Sequence, residues 1–344
     1  MKKGAERADT RDVVYGAAKR VPLTAIPVID IGPLFTADRQ VTAEVTKAID
    51  HACRNIGFFY IANHGVSQAL IDRVYAKSKR FFALPKAEKM KLHFKNVDRF
   101  GRGYVAMGDA QSDAEVQADV HETFEIMLET PADDPDYIAG VKMYGPNQWP
   151  QTLPGFREDV YAYYEAILGL SRTLYRAFAL ALGLPEAFFE GKIEKPMTQL
   201  LCMHYPPDPR PNDEECWGVA AHSDYECFTI LKQNVPGLEV VNSAGDWILA
   251  PPIPDTFVVN IGDLMARWTN DIYASTIHRV KNLSGEDRYS FSCFCSVNHD
   301  TTIRCLDNCH DEANPPKYPP MQAMEWSVKM LERTYHYGNE SDPG

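Results

Sequence analysis

The alternation of hydrophobic and polar residues divides the chain into a helix-rich first half and a second half of short strands. Apolar residues recur at helical spacing in segments that begin near Val41, Ser67 and Phe156. From Thr198 onward, β-branched and aromatic segments alternate with turn residues, which predicts an antiparallel sandwich or barrel. The predicted strands are 199–205, 226–232, 237–242, 247–250, 256–261, 276–281 and 288–297.

The last of these strands has two different faces. One face carries polar residues and Phe294, and the other carries Tyr289, Phe291, Cys293, Cys295 and Val297. This alternation predicts that the polar face lines a cavity and that the apolar face packs against another layer. Residues 282–287, with a glycine at 285, read as a hairpin that returns this strand alongside the one carrying His278.

Three residues in the strand-rich half form a candidate metal site. His222 and Asp224 lie in a segment, 219–231, that reads as one strand, so their side chains point to the same face. The third ligand must come from a neighbouring strand, and His278, in the strand-like segment 275–280, could supply it. Two histidines and one carboxylate, with positions left open on the metal, form the arrangement of non-haem Fe(II) oxygenases.

A second His-x-acid pattern, His310-Asp-Glu312, lies in a loop rich in Pro and Asn, and we expect it at the surface. The His222-Ser-Asp224 pattern is distinguished by the sequence downstream of His278. Arg288 and Ser290 share one strand face there, and a guanidinium with a neighbouring hydroxyl can hold a carboxylate.

In these residues the chain resembles the isopenicillin N synthase-like, 2-oxoglutarate-dependent Fe(II) dioxygenases. The resemblance extends over nearly the whole chain as an ordered series of short motifs. They are 26–31, 57–66, Gly101-Arg-Gly-Tyr104, 145–150, 203–207, His222-Ser-Asp224, Asn260-Ile-Gly-Asp-Leu264, His278-Arg-Val280 and Arg288-Tyr-Ser290.

The resemblance implies a mainly β fold with flanking helices around a double-stranded β-helix, or jelly-roll. It implies that His222, Asp224 and His278 bind Fe(II), and that 2-oxoglutarate and O2 are cosubstrates. Arg288 and Ser290 would hold the distal carboxylate of 2-oxoglutarate with assistance from Tyr205.

The substrate would be a small metabolite that is hydroxylated or desaturated, with release of succinate and CO2. Five residues are candidates for its pocket, and one of them, Arg102, would favour an anionic substrate if it faced the iron. The candidates are Phe294, Arg102, Tyr104, Phe124 and Trp268.

Two alternatives to this function remain open at the level of sequence. An oxidase of the isopenicillin N synthase kind would use Arg288 and Ser290 for a substrate carboxylate and would consume no 2-oxoglutarate. The second alternative is a catalytically silent binding protein on the same fold. The complete set of candidate ligands argues against it.

Composition narrows the partners and the compartment. The net charge of −12 and the lack of a Lys/Arg-rich run argue against a nucleic-acid partner. The eight scattered cysteines suggest reduced thiols in the cytoplasm. Residues 160–184 contain charged residues and predict a core helix instead of a membrane span. The oligomeric state stays open.

We expect one integrated catalytic domain made of four regions. Residues 1–20 form a flexible arm, and 21–194 form an N-terminal α/β region with a long backing helix. Residues 195–300 form the jelly-roll catalytic core, and 301–344 form a C-terminal loop and helix that covers one end.

Overall fold

The computed structural model describes residues 26–36, 38–97, 99–110, 120–207, 217–282 and 284–335. The α-helices of these residues are α1 (Arg39–Asn55), α2 (Gln68–Phe82), α3 (Lys86–Met90), α4 (Pro135–Ile138), α5 (Phe156–Ala181), α6 (Asp263–Trp268) and α7 (Ala323–Tyr335). The predicted N-terminal arm lies outside the described residues.

The strands of the first half are β1 (Val28–Asp30), β2 (Phe58–Ala62), β3 (Gly103–Val105) and β4 (Glu122–Met127). Those of the second half are β5 (Gln199–Tyr205), β6 (Val219–His222), β7 (Phe228–Gln233), β8 (Leu238–Val241), β9 (Trp247–Leu249), β10 (Thr256–Ile261), β11 (His278–Val280), β12 (Arg288–Cys295), β13 (Thr302–Ile303) and β14 (Met321–Gln322).

Two sheets build the core of the molecule. The larger has the strand order β1-β2-β10-β7-β12-β5-β4-β3, and the smaller has the order β6-β11-β8-β9. All neighbouring strands in these orders are antiparallel except β1 and β2. The mainly β jelly-roll with flanking helices is therefore confirmed. Strands from the first half of the chain complete the larger sheet on both sides.

Apolar side chains fill two layers, one on each face of the larger sheet. The inner layer joins residues such as Leu201 and Leu231 of the larger sheet to Val240 and Val280 of the smaller. The outer layer packs the other face of the larger sheet against the helices, with α1 and α2 lying on α5. The predicted long helix is α5, and Gly183 follows it with a φ of 69°, a conformation that favours glycine at helix ends.

The two-faced character of β12 is confirmed. Phe291 packs against Tyr163 of α5 in the outer layer, with ring centroids 5.6 Å apart. Arg288, Ser290, Ser292 and Phe294 line a cavity whose walls come from both sheets. One strand thus carries core residues on one face and cavity residues on the other.

The predicted hairpin at 282–287 is wrong. β11 pairs with β6 and β8 in the smaller sheet, whereas β12 pairs with β5 and β7 in the larger one. The connection therefore crosses from one sheet to the other. Strand pairing is decided by partners distant in sequence, and a turn-like segment alone does not reveal it.

Among the described helices, none combines the length and the apolar character needed to cross a membrane.

Candidate metal centre

The three side chains predicted as metal ligands lie together at one end of the smaller sheet. Oδ1 of Asp224 is 3.5 Å from Nε2 of His222 and 3.4 Å from Nε2 of His278. Within the described part of the chain they form the one group of three potential ligands whose atoms all lie within 4.8 Å of one another. This donor set fits a non-haem iron ion with coordination positions left open.

The strand pairing explains why the two histidines meet. His222 is the last residue of β6, and it is the direct antiparallel partner of His278, the first residue of β11. Asp224 lies beyond the end of β6, so the prediction that it shares a strand with His222 is wrong. The chain turns after His222, and the Asp224 carbonyl accepts a hydrogen bond from the Asp263 amide at the start of α6.

Hydrogen bonds fix the tautomer of both histidines. Nδ1 of His222 lies 2.7 Å from the Ala220 carbonyl oxygen, and Nδ1 of His278 lies 3.1 Å from that of Thr276. A carbonyl oxygen only accepts, so each Nδ1 carries the proton and donates it. In the neutral ring each Nε2 then has a lone pair, and the two Nε2 atoms lie on the side of Asp224, as metal ligands require.

Two hydrogen bonds hold the second carboxylate oxygen of Asp224. Oδ2 accepts hydrogen bonds from the Thr229 hydroxyl at 2.5 Å and from the Asn260 side-chain amide at 2.6 Å. These two bonds leave Oδ1 as the oxygen available to an ion. Sequence reasoning missed Thr229 and gave Asn260 no role, although Asn260 belongs to one of the matching motifs.

The charges within the group favour an ionised carboxylate. Burial opposes ionisation of Asp224, but the adjacent His278 and His222 outweigh it and hold the pKa of Asp224 well below its ordinary range. Burial and the neighbouring His278 lower the pKa of His222. Both effects favour the protonation states that bind a cation, whereas Asp224 outweighs burial and raises the pKa of His278, so a cation competes with a proton at that ring.

Gly262 allows the loop with Asp224 to lie against the start of α6. A Cβ atom at this position would be 2.2 Å from the Glu226 carbonyl oxygen and 3.1 Å from that of Asp224. Two backbone segments meet at this position, and real Cβ atoms do not approach a carbonyl oxygen so closely. The position therefore requires glycine.

The candidate carboxylate clamp is buried along the same cavity. Nη2 of Arg288 donates to Oε1 of Gln233 at 3.0 Å, and the guanidinium lies over the Tyr205 ring, 4.5 Å from its centroid. Nε and Nη1 of Arg288 and Oγ of Ser290 are buried and have no hydrogen-bond partner among the described residues. Unpaired donors on two residues of the same strand face fit a bound carboxylate.

The cavity that joins these groups has a volume of about 130 Å³. Its lining includes the three candidate metal ligands, the two clamp residues, Tyr205 and Phe294. The Tyr205 hydroxyl points to the Met203 sulfur at 3.3 Å, and the ring of Tyr205 lies against the Arg288 guanidinium.

Four predicted pocket residues lie elsewhere, in the outer layer or at its edge. Arg102 is fully buried and donates to the carbonyl oxygens of Phe100 and Leu128. The Tyr104 hydroxyl donates to Glu122 at 2.5 Å. Phe124 packs against Phe81 and Phe156, and Trp268 packs against Phe189. These four are absent from the described cavity lining, and on β4, for example, Phe124 occupies the helix-facing side.

The C-terminal helix closes one side of the cavity. Leu331 and Thr334 of α7 are part of the lining. Trp326 donates from its indole nitrogen to the Tyr225 carbonyl at 2.8 Å, and the Tyr225 hydroxyl lies 2.8 Å from the Thr334 hydroxyl. The loop that follows Asp224 is therefore bound directly to α7.

Models of two protein families match the chain. One is described as non-haem dioxygenase in morphine synthesis N-terminal and matches residues 26–152. The other is the 2OG-Fe(II) oxygenase superfamily, which matches residues 197–297 and so includes the candidate ligands and clamp. The chain belongs to the 2OG-Fe(II) oxygenase superfamily.

Curated relatives cover most of the chain. A 2-oxoglutarate-Fe(II) type oxidoreductase, hxnY, of Emericella nidulans is 39% identical over 304 residues, which are 87% of this chain and 87% of the relative. A homoarginine-6-hydroxylase of Glycine max is 36% identical over 86% of this chain and 92% of its own. Among solved structures, a full-length Neurospora crassa protein in complex with alpha-KG and thymine has a TM-score of 0.79 at 28% identity, covering 90% of this chain and 96% of that one.

As a member of this superfamily, the protein is a 2-oxoglutarate- and Fe(II)-dependent dioxygenase. It uses Fe(II), 2-oxoglutarate and O2 to oxidise a small molecule, with release of succinate and CO2. Nothing in the comparisons favours the oxidase alternative or the silent binding protein.

Proposed function

We propose that His222, Asp224 and His278 hold the iron of this dioxygenase, and that Arg288 and Ser290 hold the distal carboxylate of 2-oxoglutarate. One observation carries the proposal: three buried polar atoms of Arg288 and Ser290 lack partners among the described residues, and they line the same cavity as the three candidate ligands. Buried polar groups are rarely left unpaired, so a ligand with paired oxygen acceptors is what completes them.

The clamp is well placed for one dicarboxylate in one orientation. Gln233 occupies a single guanidinium nitrogen and Tyr205 covers one face of the guanidinium, which fixes its plane. Nε and Nη1 are buried without a partner among the described residues, so the guanidinium keeps N–H groups that can donate to a carboxylate. When bound, iron and 2-oxoglutarate supply the oxidising chemistry with O2; these residues bind and orient them.

The substrate enters beside Phe294, at the opposite end of β12 from Arg288. Phe294 is half-buried, lines the cavity and lies directly across from Thr229, which donates to Asp224. The similar proteins include a hydroxylase of homoarginine and a structure containing thymine, so a small nitrogen-containing metabolite suits this site. Hydroxylation or desaturation would follow from the same arrangement.

The wider setting of the enzyme is inferred from charge and thiols. The net charge of −12 disfavours nucleic acid and anionic membrane surfaces as partners. The seven described cysteines are free thiols and buried, which supports a reducing, cytoplasmic location. We infer one integrated catalytic domain, since strands from residues 21–194 lie in the same sheet as those of 195–300.

Anaerobic titration of metal-free protein with Fe(II) and then 2-oxoglutarate tests the proposal. We expect a weak visible charge-transfer band in the wild type and slow succinate release after air is admitted. Arg288→Lys should shift the 2-oxoglutarate dependence of the band to higher concentration, because a point charge replaces a fork. Arg304→Lys at the exposed Arg304 is the matched control. An unchanged titration in Arg288→Lys would remove Arg288 from the clamp.

A further inference from the structure

The substrate end of the cavity is defined by a row of side chains across three strands. Phe294 of β12 lies between Gln199 of β5 and Thr229 of β7 in register. Thr229 donates to Asp224, so this row reaches the candidate metal group. Arg288 is six residues away on the same strand, roughly 20 Å in extended backbone, which separates the two ends of the cavity.

Gln199 offers a fixed acceptor at this end. Its Nε2 donates to Oε2 of Glu125 at 2.9 Å, and Glu125 is fully buried and also accepts from the Thr123 hydroxyl at 3.0 Å. Because a carboxylate only accepts, the amide nitrogen of Gln199 must face Glu125. The carbonyl oxygen of Gln199 is therefore the group left for a ligand in the cavity that Gln199 lines.

Gly101 lies against the side-chain amide of Gln199. Gly101 has a φ of +65°, and a Cβ atom there would lie 2.8 Å from Nε2 of Gln199 and 2.8 Å from the Met127 sulfur. Glycine at this position allows the backbone to touch the amide, so Gln199 is fixed between Gly101 and Glu125. The Gly-Arg-Gly-Tyr segment thus acts through Gln199, whereas Arg102 itself points away.

Glu226 adds a carboxyl group to the same end. It lines the cavity two residues after Asp224, and its Oε1 accepts from the Ser327 hydroxyl of α7 at 3.0 Å. Its Oε2 is buried and accepts no hydrogen bond within 3.5 Å among the described residues, although the Ser296 hydroxyl lies near the carboxyl group. Burying a carboxylate is costly unless a cation or several donors compensate it. Among the described lining residues, Arg288 is the one Lys or Arg, and it belongs to the far end of the cavity.

From this pattern we infer that the substrate carries a nitrogen donor, as a protonated amine, an amidinium or guanidinium group or a ring N–H, that binds Gln199 and Glu226 beside the metal group. The inference rests on the proposed function, because it concerns the substrate end of the same site. Phe294 lies next to Gln199 and presents a ring on which a cationic or planar nitrogen group can pack. An anionic substrate, which Arg102 would have favoured, meets acceptors here instead of donors.

Three small probes of similar size test the inference: butylguanidinium, butylurea and pentanoate. Each is added anaerobically to protein with Fe(II) and 2-oxoglutarate, and binding is measured by the change in the visible band and by calorimetry. We expect both nitrogen donors to bind at least tenfold more tightly than pentanoate. Gln199→Met should weaken both donors, and Glu226→Gln should weaken butylguanidinium more than butylurea.

Matched controls are Gln151→Met and Glu190→Gln, which make the same changes at exposed positions. Thermal unfolding of each variant shows whether it is folded. The wild type alone shows whether the nitrogen probes bind more tightly than pentanoate, so this part of the test does not depend on any variant. Protein that forms the Fe(II)–2-oxoglutarate band yet binds the nitrogen probes no better than pentanoate overturns this inference alone. Failure to form the band contradicts the proposed function itself, and the inference with it.

Discussion

His222 and His278 are direct partners across β6 and β11, with ring centroids 4.3 Å apart. Each ring donates its Nδ1 proton to the carbonyl oxygen two residues earlier on its own chain segment, Ala220 in one case and Thr276 in the other. The same local bond therefore orients both rings, and antiparallel pairing brings their Nε2 atoms to one carboxylate. Two adjacent strand ends thus form most of the candidate centre.

His222→Ala should abolish Fe(II) binding and turnover while the fold is retained. One histidine and one carboxylate would remain, and two ligands hold iron weakly in competition with water. Iron content after anaerobic loading and succinate release measure the effect. His310→Ala, at the exposed histidine of the second His-x-acid pattern, should behave as wild type. Wild-type turnover in His222→Ala would end the metal assignment.

Thr229→Val should weaken Fe(II) binding by about 10- to 100-fold, the usual effect of removing a group that orients a metal ligand. The substitution removes one of two hydrogen bonds to Oδ2 of Asp224, so this carboxylate could rotate. Anaerobic Fe(II) titration gives the affinity. Thr173→Val on the exposed side of α5 is the control. Equal affinities for both variants would show that Thr229 does not position Asp224.

Ser290→Ala should have opposite effects on stability and on cosubstrate binding. The Ser290 hydroxyl is buried without a partner among the described residues, so its removal should raise the free energy of unfolding of the ligand-free protein by about 1 kcal/mol. The KM for 2-oxoglutarate should rise, since a donor to the carboxylate is lost. Denaturant unfolding and initial rates measure the two quantities.

Ser171→Ala provides the contrast for that prediction. Ser171 is also buried, but its hydroxyl donates to the Leu168 carbonyl at 2.8 Å within α5. This variant should leave the KM for 2-oxoglutarate unchanged and should not be stabilised. A loss of stability in Ser290→Ala with an unchanged KM would mean that Ser290 has a purely structural role.

His204 should make stability depend on pH. Its ring donates to Glu122 at 2.9 Å and to Asp287 at 2.7 Å and stacks on Tyr289. Burial alone would lower the pKa of His204, but the bonds to Glu122 and Asp287 outweigh it and raise the pKa. Protonation of His204 therefore stabilises the folded state. This contribution is complete at pH values below the unfolded-state pKa of about 6.5, and it is lost as the pH rises through the folded-state pKa.

The pH dependence of unfolding tests this directly. As pH rises from about 6 to about 9, the wild type should lose stability relative to His204→Gln, because the glutamine carries no proton to lose. Denaturant unfolding at several pH values gives the difference. Parallel curves for the two proteins would show that His204 contributes no charge-dependent stability.

The sequence predicted local features well. The strands 199–205 and 256–261 match β5 and β10, and the alternation along β12 correctly separated its cavity face from its core face. Period-two patterns and helical spacing depend on neighbouring residues, so they are readable from one sequence. The grouping of His222, Asp224 and His278 also followed from the motifs and the family resemblance, although the strand placement of Asp224 was wrong.

Features that depend on distant partners were not readable. The sheet to which β11 belongs is decided by β6 and β8, and the end of β6 at His222 is decided partly by the start of α6. Gln199 and Glu226 carry no motif that marks them as cavity residues. Their position emerges only when register places Gln199 beside Phe294 and when α7 reaches the loop after Asp224.

The two faces of β12 have a consequence for how such an enzyme can change over evolutionary time. Phe291 fixes the strand to α5, while Phe294 on the opposite face lines the cavity. With the substrate placed beside Phe294 as proposed, a mutation at residue 294 would alter which molecule is accepted without disturbing the helices. New specificities can arise by single steps at alternate positions of one strand, while the framework beneath stays unchanged.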